Sequence, residues 1–138
     1  MDNYLTDRER MESFNNACNE IKDLVKDCLN SEESLVGLYI HRDNNSIRYG
    51  TLFSGMRLEV NTISMLNENS LKTIYDLLKD EYKDSFELGF SHDVQGKTFL
   101  KIFINEKVLI QVYSSNPYDV KWFRDESDEL YGKKGKQF

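Results

Sequence analysis

The residues whose types could do chemistry are two histidines, two cysteines and a run of carboxylates. His41 opens the tripeptide "HRD", which in protein kinases supplies the Asp that accepts a substrate hydroxyl proton. No "DFG" and no Gly-rich loop accompany it, and 138 residues are too few for that fold. His92 sits in "SHD", three triad residue types in a row, yet a Ser-His-Asp triad takes its members from separate elements. Metal chemistry fares no better, because C-x-x-C, H-x-x-x-H and the glycine-bearing calcium loop are all missing. The run "DESDE" at 125–129 can collect cations loosely but imposes no geometry, and "YGTLFSG" and "YGKKG" have glycines in the wrong spacing for a phosphate loop. No catalytic, cofactor-binding or metal-ligating residue is therefore expected, and no enzyme.

Cys18 and Cys28 fall on the apolar stripe of one predicted helix. Ten helical residues hold them about 15 Å apart, beyond disulfide reach, so they read as small buried hydrophobes.

The constellation that stands out is "NPYDVKWFRDESDELY". Tyr118, Trp122 and Phe123 offer rigid contact area, and Asp125, Glu126, Asp128 and Glu129 surround them with negative charge. Such a patch suits a basic protein partner, with anchors for affinity and acids for steering. The competing reading is that Trp122 and Phe123 seal the domain's own core. The net charge points the same way as the patch. Eighteen basic and 24 acidic residues give −6; with Lys133, Lys134 and Lys136 set aside, 15 basic against 24 acidic leave −9 on 1–131. Phosphates would be repelled by that body, so direct nucleic-acid binding is not expected.

These residues need a frame. Thr6 and Glu9 have capping-box spacing, and Met11, Phe14, Cys18, Ile21, Leu24, Val25, Cys28 and Leu29 recur every three or four positions. That predicts an amphipathic helix. "SLVGLYIH" and "SIRYGTLF" flank the polar turn "RDNNS" and read as a hairpin, followed by "MRLEV" with Met56, Leu58 and Val60 inward. A second helix is predicted over about 69–83, with Leu71, Ile74, Leu78 and Tyr82 on its stripe. "SFELGF" and the hairpin "TFLKIFINEKVLIQVY" complete the sheet, and "DVKWFRDESDELY" can form a short helix.

The expected fold is one α+β domain over 1–131, with a mobile basic tail at 132–138. An antiparallel sheet of five to six strands carries two amphipathic helices on one face, in the order α-β-β-β-α-β-β-β-tail. This leaves the second face of the last hairpin to be covered. Phe99, Phe103, Leu109 and Tyr113 would share it, under the C-terminal segment in a monomer or against a second copy in a homodimer. There is no apolar run near the length of a membrane span, and "MDNYLTDRER" lacks a signal-peptide core, so a cytoplasmic location is expected.

Across residues 11–105, "FNNACNEIKDLV", "GLYIHRDNNSIRYGTLF", "LKTIYDLLKDEYKD" and "FSHDVQGKTFLKIFIN" follow one another in an order that resembles the YezG-like immunity proteins. The resemblance implies a small acidic bacterial protein that neutralises a cognate nuclease toxin; a phage-encoded inhibitor of host defence belongs to the same class. The chain is also similar, through residue 90, to type III secretion chaperones, dimers that bind an extended effector segment. It departs from them in showing no clear long helix after the final strands.

Overall fold

The computed structural model describes residues 6–32, 36–53, 56–92 and 98–134. Helix α1 (Asp7–Asn30) starts where the capping box places it: Thr6 Oγ1 accepts from the Glu9 amide, and the Glu9 carboxylate accepts from the Thr6 amide. That bond to the Thr6 amide, which favours the charged carboxylate, holds the Glu9 pKa below its ordinary value. The buried stripe is Phe14, Ala17, Cys18, Ile21, Val25 and Cys28. Met11, expected on it, is 55% exposed. The last turn of α1 has no basic residue of its own. Lys107, far along the chain, takes that place and donates Nζ to the carbonyls of Leu29 and Ser31.

The strands are β1 (Val36–Arg42), β2 (Ser46–Phe53), β3 (Met56–Ser64), β4 (Phe86–His92), β5 (Thr98–Ile104) and β6 (Val108–Tyr113). Helix α2 (Ser70–Glu81) and a single 3-10 turn (Lys83–Ser85) separate the first three from the last three. The spatial order is β3-β2-β1-β6-β5-β4, two three-stranded antiparallel meanders set side by side. Where they meet, β1 and β6 run parallel, Gly37 beside Leu109 through His41 beside Tyr113. The sheet is thus mixed, not antiparallel throughout. Strand alternation records which face a residue takes and is blind to the direction of a neighbour 72 positions away. Gly37 is needed at this seam: a Cβ there would lie 2.0 Å from the Leu109 carbonyl oxygen.

The turn of the last hairpin is tighter than its three residues suggest. Asn105 (φ 55°) and Glu106 (φ 57°) are both left-handed, and the Lys107 amide closes onto the Ile104 carbonyl at 3.1 Å. Asn suits that region; Glu does not.

A third helix, α3 (Pro117–Lys134), follows β6. It is longer than the short helix expected and takes in Gly132, Lys133 and Lys134 from the expected tail; 135–138 lie outside the described residues. All three helices lie on one face of the sheet. α1 packs on β1, β3 and β6, α3 on β4 and β5, and α2 lies between them. Their core is Leu38, Ile40, Ile47, Tyr49, Leu100, Ile102, Ile104, Val108, Ile110 and Val112 from the strands, with Leu71, Ile74, Tyr75 and Phe123 from the helices.

The second sheet face therefore does not receive the C-terminal segment, which goes to the opposite side. Phe103 is 37% exposed, and Leu109 and Tyr113 are half-buried; the Phe99 side chain lies outside the described residues. Long side chains tile the middle of this face instead. The Arg57 guanidinium sits 5.2 Å from the Tyr39 ring centroid and 5.0 Å from that of Tyr113, which leaves Tyr39 only 4% exposed.

Candidate protein-binding surface

The segment singled out by its aromatic and acidic residues is largely internal. Trp122 is 6% exposed and Phe123 fully buried; their rings meet edge to face at 4.6 Å, and Trp122 also lies 5.0 Å from Tyr75. Neither is presented to a partner. Trp122 Nε1 donates to Asp119 Oδ1 at 2.9 Å, while Asp119 Oδ2 accepts from Arg42 Nη1 at 2.8 Å and Ser114 Oγ at 2.7 Å. Glu126 is also occupied, accepting from Tyr75 Oη at 3.2 Å and Lys79 Nζ at 2.9 Å. Asp125 is exposed and paired with Lys121, and Tyr118, 36% exposed, donates its hydroxyl to Asn69. The side chains of Asp128 and Glu129 lie outside the described residues. Apolar character did not separate core from interface here. Asp119, a carboxylate one residue from Tyr118 and three from Trp122, was the residue that sequence reasoning passed over.

Among the residues capable of chemistry, His41 is placed most suggestively. It borders a cleft of about 420 Å³ with Arg42, Asp43, Asn44, Ser115, Asn116 and Pro117. Its Nδ1 lies 2.8 Å from Arg48 Nη2 and 3.2 Å from Asp43 Oδ1. A guanidinium can only donate and a carboxylate only accept, so Arg48 and Asp43 compete for the same ring nitrogen. Asp43 in turn accepts from Arg48 Nε at 2.9 Å, which raises the Arg48 pKa further. Asp43 is thus shared between the His41 ring and the Arg48 guanidinium. The two thiols are buried, and burial pushes both pKa values up, which keeps them protonated and inert. Among the described residues no three His, Cys, Asp or Glu side chains gather as metal ligands, and no helix is long and apolar enough to cross a membrane.

The apolar side chains left in water are elsewhere. Phe53 is 44% exposed, Met56 64%, Leu58 55% and Val60 39%. Their alternation predicted Met56, Leu58 and Val60 facing inward, and two features defeat it. β3 is an edge strand, and its register slips between Tyr49 and Gly50, where Tyr49 faces Asn61 and Gly50 faces Glu59, so that Val60 is the extra residue. Gly50 permits this, since a Cβ would lie 2.1 Å from the Leu58 carbonyl oxygen. Before the slip, Met56 and Leu58 stand opposite Phe53 and Thr51, on the helix-bearing side, and both side chains stay exposed among the described residues.

The neighbouring helix flank is acidic. α1 runs antiparallel to β3: Arg10, Ser13, Asn16, Ala17 and Glu20 line a second cleft of about 420 Å³ against Asn61–Ser64, and Cys28 Sγ reaches the Gly37 carbonyl at 4.0 Å. Glu20 is fixed there by the buried Tyr49, whose hydroxyl donates to its carboxylate; Asn61 Nδ2 donates to the same hydroxyl at 3.4 Å. Burial, then this bond, push the Tyr49 pKa up to about 12. The acidic flank continues at helical spacing through the exposed Asp23 and Asp27, as the helix passes from β3 toward β1 and the β5–β6 turn, where Lys107 meets the Leu29 carbonyl. The result is an exposed apolar strand edge at Met56–Val60 with the Glu20 carboxylate held near the other end of the same strand.

No protein family, curated protein or solved structure matches the chain.

Proposed function

We propose that the chain is a non-enzymatic binding protein of the bacterial or phage cytoplasm that neutralises a basic protein, such as a toxin or nuclease, in the manner of an immunity factor. The observation that carries this reading is the exposed apolar edge formed by Phe53, Met56 and Leu58, on a chain of net negative charge whose Glu20 is fixed against the far end of β3. Apolar residues that can be desolvated supply affinity, an unpaired strand edge can accept a strand from the partner, and the carboxylates steer a cationic surface into place. The acid-and-anchor logic of the sequence is kept, and its location moves from α3 to the β3 edge.

The test is co-expression with candidate basic toxins encoded beside the gene in its native host. Rescue of growth by the wild-type chain, and its loss in a folded Leu58→Asp variant, supports the reading. Rescue that survives both Leu58→Asp and the combined Glu20→Gln, Asp23→Asn and Asp27→Asn variant overturns this surface as the interface.

A second reading has one observation in its favour. α3 supplies the long helix after the last strand whose absence set the chain apart from type III secretion chaperones. A chaperone of that kind binds an extended, unfolded segment, so binding of a denatured peptide but not of a folded protein selects it over the inhibitor.

A further inference from the structure

We infer that two copies of the chain pair antiparallel through β3 about a two-fold axis at Leu58, making one continuous sheet. β3 is nine residues long, stands at the end of the strand order, and carries neither Pro nor Lys. Edge strands of soluble proteins are commonly blunted by such residues or by shortness. Here the segment Met56–Val60 instead exposes three apolar side chains.

The alternation of residue types selects one pairing. With the axis at Leu58, Leu58 faces Leu58, Met56 faces Val60, and Arg57 of each copy faces Glu59 of the other. Apolar residues then meet on the helix-bearing side; on the other, two opposite-charge pairs form as Arg57, which in the single chain lies over the Tyr39 and Tyr113 rings, turns to the edge. Moving the axis to Arg57 or Glu59 sets like charges face to face. Moving it between residues sets Arg57 against Leu58 or Leu58 against Glu59. The Thr62 amide, bonded at 2.9 Å to the Asn61 side chain, and the extra residue Val60 end the pairing on that side. A two-fold arrangement of this kind is self-complementary and closes at two copies. It stands whether or not a basic partner exists. Where one does, partner and second copy compete for Met56 and Leu58, and the free chain keeps its apolar edge covered.

The experiment is sedimentation equilibrium on the full chain, on Arg57→Glu, on Glu59→Arg, and on an equimolar mixture of the two variants. The wild type should be a dimer, and each variant should dimerise about tenfold to a hundredfold more weakly, because two attractive pairs become repulsive. The mixture should recover a heterodimer, since a chain with two acids then faces a chain with two arginines. That recovery also shows that both variants are folded. A monomeric wild type, dimers indifferent to both reversals, or a mixture that stays monomeric would each overturn the proposal.

Discussion

Arg42, the last residue of β1, and Asp119, in the first turn of α3, are 77 positions apart in the chain and form a buried ion pair with Nη1 2.8 Å from Oδ2. The two side chains are 6% and 0% exposed. Asp119 is the hub, since Ser114 Oγ and Trp122 Nε1 donate to it as well. The arrangement fixes where α3 leaves the sheet and which way Trp122 turns. Among the described residues Arg42 Nε has no hydrogen-bond partner, so the satisfaction is one-sided, more complete for the carboxylate than for the guanidinium.

Removing the hub alone leaves a buried guanidinium without its counter-charge. Asp119→Ala should lower stability by about 3–5 kcal/mol in denaturant melts. Asp119→Asn, which keeps an acceptor for Trp122, should lose less. Arg42→Met combined with Asp119→Leu should recover a large part of the loss, because no buried charge then remains. A double variant no better than Asp119→Ala would show that the bonds to Ser114 and Trp122 matter more than the ion pair.

Trp122 offers a related test. Its ring packs on Tyr75 and Phe123, so Trp122→Ala should destabilise the fold by about 3–5 kcal/mol through the cavity it leaves. A folded Trp122→Ala protein of unchanged melting temperature would return this residue to the surface.

How much of this the sequence could disclose depends on the range of the interaction. The Thr6–Glu9 cap, the stripe of α1 and the hairpin turns rest on neighbours within a few positions, and they are legible. The parallel seam of β1 with β6 and the Arg42–Asp119 pair join distant segments, and nothing local marks either. β3 fails for another reason. Met56, Leu58 and Val60 alternate as a buried strand does, but among the described residues no element arrives to bury them. The pattern reported a face correctly and could not report its cover. On α3 the same limit appears in reverse, for Trp122 and Phe123 have the composition of an interface and the position of a core.

The β5–β6 turn holds Glu106 at φ 57°, a region open to glycine at no steric cost. Glu106→Gly should therefore stabilise the protein by roughly 1 kcal/mol, net of the extra freedom glycine has in the unfolded chain. Its melting temperature should rise; a fall would mean that the Glu106 side chain has a role beyond the turn.

Lys107 presents a contrasting case in the same turn. Its ammonium group is the cation at the C-terminal end of α1, where the unpaired carbonyls and the helix dipole favour positive charge. Lys107→Met keeps the alkyl stem and removes only that charge. A loss of about 0.5–2 kcal/mol is expected, and raised salt should change it little because the site is half-buried. A neutral effect would show that water satisfies those carbonyls equally well.

The last prediction concerns alkaline pH and the bond between Tyr49 and Glu20. A tyrosine whose pKa is about 12 in the folded chain and near its ordinary 10 in the unfolded chain holds its proton more tightly when folded. Stability from that difference is fully present below pH 10 and is lost as pH rises through about 12, because folding then opposes ionisation. Tyr49→Phe has no proton to lose. Measured by chemical denaturation, the stability advantage of wild type over Tyr49→Phe should be constant below pH 10 and shrink above it. The comparison cancels the contribution of Tyr82, whose pKa burial also raises. An advantage that does not change between neutral pH and pH 12 would mean that the hydroxyl ionises as easily in the fold as in water. Glu20 would then not be its acceptor, and the anchor that holds α1 against β2 and β3 beside the apolar edge would be apolar packing alone.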